Sequence, residues 1–138
     1  MISARTSCVA LTLALGGCSG AAPTPVDTGA KAVVREFCDA VLQRNWKQAH
    51  VLLDAESQAR WSPAQFVRVG DAYRRQIGFE PTKVHIRSCD EQDDKAIARV
   101  AFGAGTSHSH QHFKDGLLLR KANDVWRISL PPSFGGKR

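Results

Sequence analysis

The sequence predicts an α+β domain: helices come first and pack on one face of an antiparallel sheet of about four strands. Three observations carry this. Apolar residues recur at helical spacing from Ala30 to Ile77, the period switches to two after Pro81, and nothing helical lies between the later strands. The chain has 138 residues, 43% of them hydrophobic, which suits one domain with an appendage.

The first helix follows from Val34, Phe37, Cys38 and Val41, with Lys31, Arg35, Asp39 and Arg44 on the opposite side. Asn45 is the expected N-cap of a second helix, with Gln48 completing a capping box and Trp46, Ala49, His50 and Leu53 facing inward. A third helix has Ser62 as cap, Pro63 at its first position, and Gln65 closing the box. Its buried stripe is Phe66, Val69, Gly70, Tyr73 and Ile77, and Gly78 ends it. Val84 and Ile86 then alternate with His85 and Arg87 in a first strand. Further strands are expected over about residues 95–103 and 110–121, with residues 103–107 as the loop between them. Asn123-Asp124 turns the chain into a last strand, residues 125–130, which Pro131-Pro132 ends.

The first seventeen residues hold one cation, Arg5, and an apolar stretch, residues 8–15, far short of the ~20 residues that span a bilayer. Leu15-Gly16-Gly17-Cys18 resembles the lipobox of bacterial lipoproteins. That resemblance implies a signal peptide over 1–17, a diacylglycerol on the Cys18 thiol, and a cell-envelope location. Ser19 after the cysteine implies the outer membrane, facing the periplasm, in a Gram-negative cell. The alternative is ordinary cleavage after Ser19-Gly20-Ala21 with Cys18 unused. Residues 18–29, rich in small residues with Pro23 and Pro25, read as a tether. The domain then spans 30–134, with 135–138 as a tail.

Beyond residue 17 there are 18 Lys and Arg against 13 Asp and Glu, a balance of +5 spread without long runs. Such a surface suits anionic headgroups or cell-wall polymers. With no nucleic-acid motif and no basic-aromatic stripe, nucleic acid is not an expected partner.

The segments Val33–Val41, Trp46–Asp54 and Leu117–Ile128, in this order, resemble the NTF2-like (cystatin-like) superfamily. The resemblance covers nearly all of residues 30–134 and implies a curved sheet wrapped around helices as a cone, often hollow. That superfamily hosts isomerases, dehydratases, transport factors and binding domains, so the fold does not select a function. Its ketosteroid isomerases use an Asp base with Tyr and acid partners, a triad this sequence does not match position by position. The candidates here are Asp115, on the strand face of Phe113, Leu117 and Leu119; Tyr73, on the third helix's stripe; and His50. A bulge at Gly116 would turn Asp115 outward, and each of the three also has an ordinary packing role.

His108, His110 and His112 would project from one face about 7 Å apart if extended. His-x-His pairs can chelate Zn²⁺ or Cu²⁺, although no carboxylate or thiol adjoins them in sequence. With Cys8 in the leader and Cys18 acylated, Cys38 and Cys89 remain as a candidate disulfide, one that would stabilise by roughly 4 kcal/mol in the chain-entropy model. Strict alternation puts Cys89 on the face away from Ile86, so a bridge needs a bulge near Ser88; free thiols are the alternative. No cofactor is expected. The leading functional reading is a membrane-anchored lipoprotein that binds a small ligand or an envelope protein. A cavity enzyme of isomerase or hydrolase type is second, and a metal-binding surface protein third.

Overall fold

In the computed structural model the described residues are Asp27, 29–106 and 109–136. The expected signal peptide, Cys18, most of the expected tether, His108 and the last two residues lie outside them. The order is α1 (Gly29–Leu42), α2 (Trp46–Val51), α3 (Ala55–Arg60), α4 (Pro63–Ile77), then β1 (Lys83–Gln92), β2 (Lys95–Thr106), β3 (Ser109–Ala122) and β4 (Val125–Ser129). The strands form one antiparallel sheet in the order β1-β2-β3-β4. No helix among the described residues is long and apolar enough to cross a membrane.

The helix layer is held by its caps as much as by its stripes. At α4, Ser62 Oγ accepts from Gln65 N and the Gln65 side chain accepts from Ser62 N, so the expected capping box is complete. Gly78 closes α4 at φ 80°, a left-handed conformation that costs other residues strain. Gly70 has a different reason to lack a side chain, since a Cβ there would sit 2.5 Å from the Trp46 ring. At α2 only half of the expected box forms. Asn45 accepts from Gln48 N, but the Gln48 side chain donates to Glu36 on α1 instead.

Two features of this layer depart from the sequence reading. Arg74 on α4 is buried, where its guanidinium donates to the carbonyls of Val41 and Leu42 at the end of α1 and pairs with Glu80. It thereby adds a donor at the terminal turn of α1, where Val41 O already accepts from Arg44 N. Helix α3 is also unforeseen. It has six residues and buries only Ser57, so it carries no apolar stripe to detect. Its Asp54 cap, accepting from Ser57 N, and Glu56 in the first turn are the signals that mark it.

The sheet is longer than expected. Gly103 and Gly105 belong to β2, paired with His112 and His110, rather than to a loop. Alternation sends Ala96, Ala98, Val100 and Phe102 of β2 and Leu117 and Leu119 of β3 inward, against Val34, Phe37, Val41, Phe66 and Tyr73. In β1 the register shifts between Ile86 and Ser88, so Arg87 has no partner. That bulge resets the alternation. Ile86 pairs with Val100 and Cys89 with Ala98, both inward-facing positions, so Cys89 faces the helices after all.

Candidate functional site

The structure brings two of the three polar candidates together. Tyr73, on the inner stripe of α4, donates from Oη to Asp115 Oδ2 at 2.9 Å. Asp115 is inward because the β2–β3 register runs unbroken through it: Val100 pairs with Asp115 and Arg99 with Gly116. The bulge that Gly116 permits does not form. Instead Gly116 N donates to Asp115 Oδ1 at 2.9 Å, which fixes the carboxylate against its own strand.

What opens a cleft beside this pair is the shortness of β4. It pairs with β3 only from Leu118 onward, and Pro131 takes the chain off the sheet. The segment then crosses to α4, where Phe134 stacks on Tyr73 with ring centroids 4.6 Å apart. Phe134 also stacks on Phe66, and Gln76 donates to the carbonyl of Gly136. The resulting cleft, about 260 Å³, is lined by Tyr73, Gln76, Asp115, Leu117, Leu130 and Phe134, among others. Phe134 was no candidate in the sequence, where it sits beyond the double proline in a segment of turn residues. Only its aromatic character marked it.

Helix α3 positions that segment. Ser57 Oγ accepts from Leu130 N, and Arg60 donates to the carbonyl of Leu130 at 2.8 Å. Asp54 N donates to Ile128 O while Ile128 N donates to Leu52 O, a short parallel tie between the helix layer and β4. Burial alone would raise the Asp54 carboxyl, but hydrogen bonds with Ser57 and Ser129 outweigh it and hold the group below the usual range.

The remaining candidates lie elsewhere. His50 Nε2 donates to the carbonyl of Trp61 at 2.8 Å, and its ring lies 5.5 Å from Phe66, so it braces the α2–α4 junction. His110 and His112 project from the outer face of β3 with stacked rings 6.0 Å apart. No third His, Cys, Asp or Glu joins them in a metal-binding group among the described residues. The expected Cys38–Cys89 bridge is not formed; both are free thiols. Although the bulge turns Cys89 inward, different charges act on the two sulfurs. Cys38 feels Arg35, Asp39 and Asp115, whereas Cys89 feels Glu91, Asp90 and Lys31, which lies one turn before Arg35 on α1. Burial pushes the Cys38 thiol up to about 12, with Asp39 and Asp115 adding to the rise. At neutral pH it is a protonated core group and not a nucleophile.

No family model and no curated protein matches the sequence. Solved structures do match the fold. A SEC-C motif containing protein from Rhodopseudomonas palustris superimposes at a TM-score of 0.56 with 14% identity, over 72% of this chain and 74% of that one. A protein from Campylobacter jejuni, provisionally described as an NTF2-like transpeptidase, gives 0.54 at 16% identity, over 75% of this chain and all of that one. The domain therefore has the NTF2-like fold, helices lining the inside of a curved antiparallel sheet.

Proposed function

We propose that this chain is a cell-envelope lipoprotein, anchored through Cys18, whose NTF2-like domain binds a small ligand in the cleft between α4, β3 and the Pro131–Gly136 segment. The observation that carries the binding reading is the Tyr73–Asp115 pair in a wall otherwise made largely of Leu117, Leu130 and Phe134. One charged acceptor on an apolar surface orients a ligand that offers a hydrogen-bond donor and a ring or aliphatic body. At about 260 Å³ the cleft is smaller than the roughly 300–1,000 Å³ of drug-sized pockets, so the ligand is small.

A fragment screen by NMR on the intact chain tests this. Donor-bearing cyclic fragments should shift Tyr73, Leu117 and Phe134 resonances, and Asp115→Asn should weaken them about tenfold, the effect of one charge-assisted hydrogen bond. Fragments that bypass these residues would sink the reading. The second reading, a cavity enzyme with Asp115 as base, is supported by the same 2.9 Å contact with Tyr73. It gains if Asp115→Asn binds fragments like the wild type yet abolishes the cellular phenotype. The anchor is tested separately by labelling cells with an alkyne fatty acid. Cys18→Ala should lose the label, and equal labelling would exclude acylation there.

A further inference from the structure

The outer face of the sheet is basic over the half opposite the cleft-bearing helices. Register places Lys83 of β1, Arg99 of β2 and Lys114 of β3 on this side, and the β1 bulge adds Arg87, which lines two shallow depressions there together with Lys114. All four are exposed, and none forms an ion pair with a described residue. Strand alternation sends one carboxylate to this face, Asp90, the cross-strand partner of Ile97, and Asp115 reaches the rim of the depression that Arg87, Arg99 and Lys114 line. Six other cations meet carboxylates, Lys31 and Arg35 at Asp27, Arg44 and Arg74 at Glu80, and Arg60 and Arg120 at Glu56, while Lys47, Arg68 and Arg75 on the helices also form no ion pair with a described residue. Four cations left without partners on one face constitute a field for an anionic surface.

The same face carries two aliphatic side chains that burial has left half out. Ile97 and Leu118 are direct cross-strand partners and are 51% and 54% exposed. Cations beside exposed aliphatics suit a bilayer interface, where headgroup phosphates meet the former and the acyl boundary the latter. A nucleic acid would instead be served by stacking aromatics. Phe102, Phe113 and Trp126 all alternate inward, toward the helices.

From these observations we infer that the outer sheet face, through Lys83, Arg87, Arg99 and Lys114 with Ile97 and Leu118, docks the domain on an anionic lipid surface. The surface meets the cleft at its rim, where Leu118 lines both, and the inference takes from the lipoprotein reading only that a membrane is near. The eleven residues from Cys18 to Thr28 extend to at most about 36 Å at ~3.3 Å each, and β1 is about as long. An anchored domain is thus free to lay this face down, and the cleft on the helix side then opens away from the lipid.

The test uses the full chain with Cys18→Ser throughout, so that acylation plays no part. Binding is read by co-sedimentation with vesicles of equal parts phosphatidylglycerol and phosphatidylcholine, and with phosphatidylcholine alone. The wild-type chain should prefer the anionic vesicles, and the preference should vanish near 1 M salt, where the Debye length falls to about 3 Å. A triple change, Arg87→Gln, Arg99→Gln and Lys114→Gln, should weaken binding about 100-fold, at about fivefold per cation. The matched control, Lys47→Gln, Arg68→Gln and Arg75→Gln on the helices, carries the same net charge and should bind like the wild type. Ile97→Ser with Leu118→Ser, both exposed, should weaken vesicle binding without changing the circular dichroism spectrum. Equal losses in the two triples would reduce the effect to net charge and overturn the proposal. So would wild-type binding that salt and the face triple leave unchanged, or face-dependent binding to a soluble polyphosphate with none to vesicles.

Discussion

The two faces of β3 come from one run of residues and do opposite things. Phe113, Asp115, Leu117 and Leu119 meet the helices, and Asp115 is the one charge among them, held by Tyr73 and by Gly116 N. His110, His112, Lys114, Leu118 and Arg120 meet solvent. Inside, a polar group persists only if its bonds are made, so the single carboxylate is fixed in place and specific. Outside, charges need no partners, and their collective field matters more than any one contact. A period of two therefore gives one strand both a fixed inner carboxylate and a charged outer face.

Paired truncations across the two faces of β3 carry the largest expected effect. Leu119→Ala, at a position 1% exposed, should cost about 2–5 kcal/mol in urea unfolding, while its neighbour Leu118→Ala should stay within about 0.5 kcal/mol. Similar costs at both would mean that the faces are misassigned.

Thiol chemistry gives the next effect. With its thiol pushed up to about 12 from an ordinary 9.0, Cys38 should react with a disulfide reagent at pH 8 roughly 1,000-fold more slowly folded than unfolded. Cys89, half-buried, should be modified first. Because the unfolded thiol ionises at a lower pH than the folded one, Cys38 contributes stability below its unfolded value that is lost as pH rises toward 12. Prompt modification of Cys38 in the native chain would contradict its burial.

Tyr73→Phe should cost about 1–3 kcal/mol, because Asp115 loses a donor inside the domain. Lys114→Gln, next to Asp115 but outward, should leave unfolding unchanged within about 0.5 kcal/mol. A smaller change is expected from Asp54→Ala, about 0.5–2 kcal/mol for a lost cap. The carboxyl is held low in the folded state, so its contribution is present above the unfolded value and disappears as pH falls through the folded one. Unfolding measured from pH 5 down to pH 2 should accordingly fall less steeply in Asp54→Ala than in the wild type. An unchanged acid limb would remove Asp54 from the acid response.

The chain alone made legible the α+β order, the α4 box from Ser62 to Gln65, the Gly78 stop, the Asn123-Asp124 turn, and the inward set along β3. Each of these depends on residues within a turn or two of one another, where capping, φ preference and alternation act locally. That Tyr73 and Asp115, 42 residues apart, share a hydrogen bond depends on long-range packing. The same holds for Phe134 closing the cleft and Arg74 capping a different helix. Helix α3 was nearly illegible because it buries one serine, and its value lies in what Ser57 and Arg60 hold at Leu130. The β1 bulge was legible only as a condition: alternation showed that Cys89 would need one, but pairing with β2 had to supply it, since a skipped residue is a property of two strands and not of one.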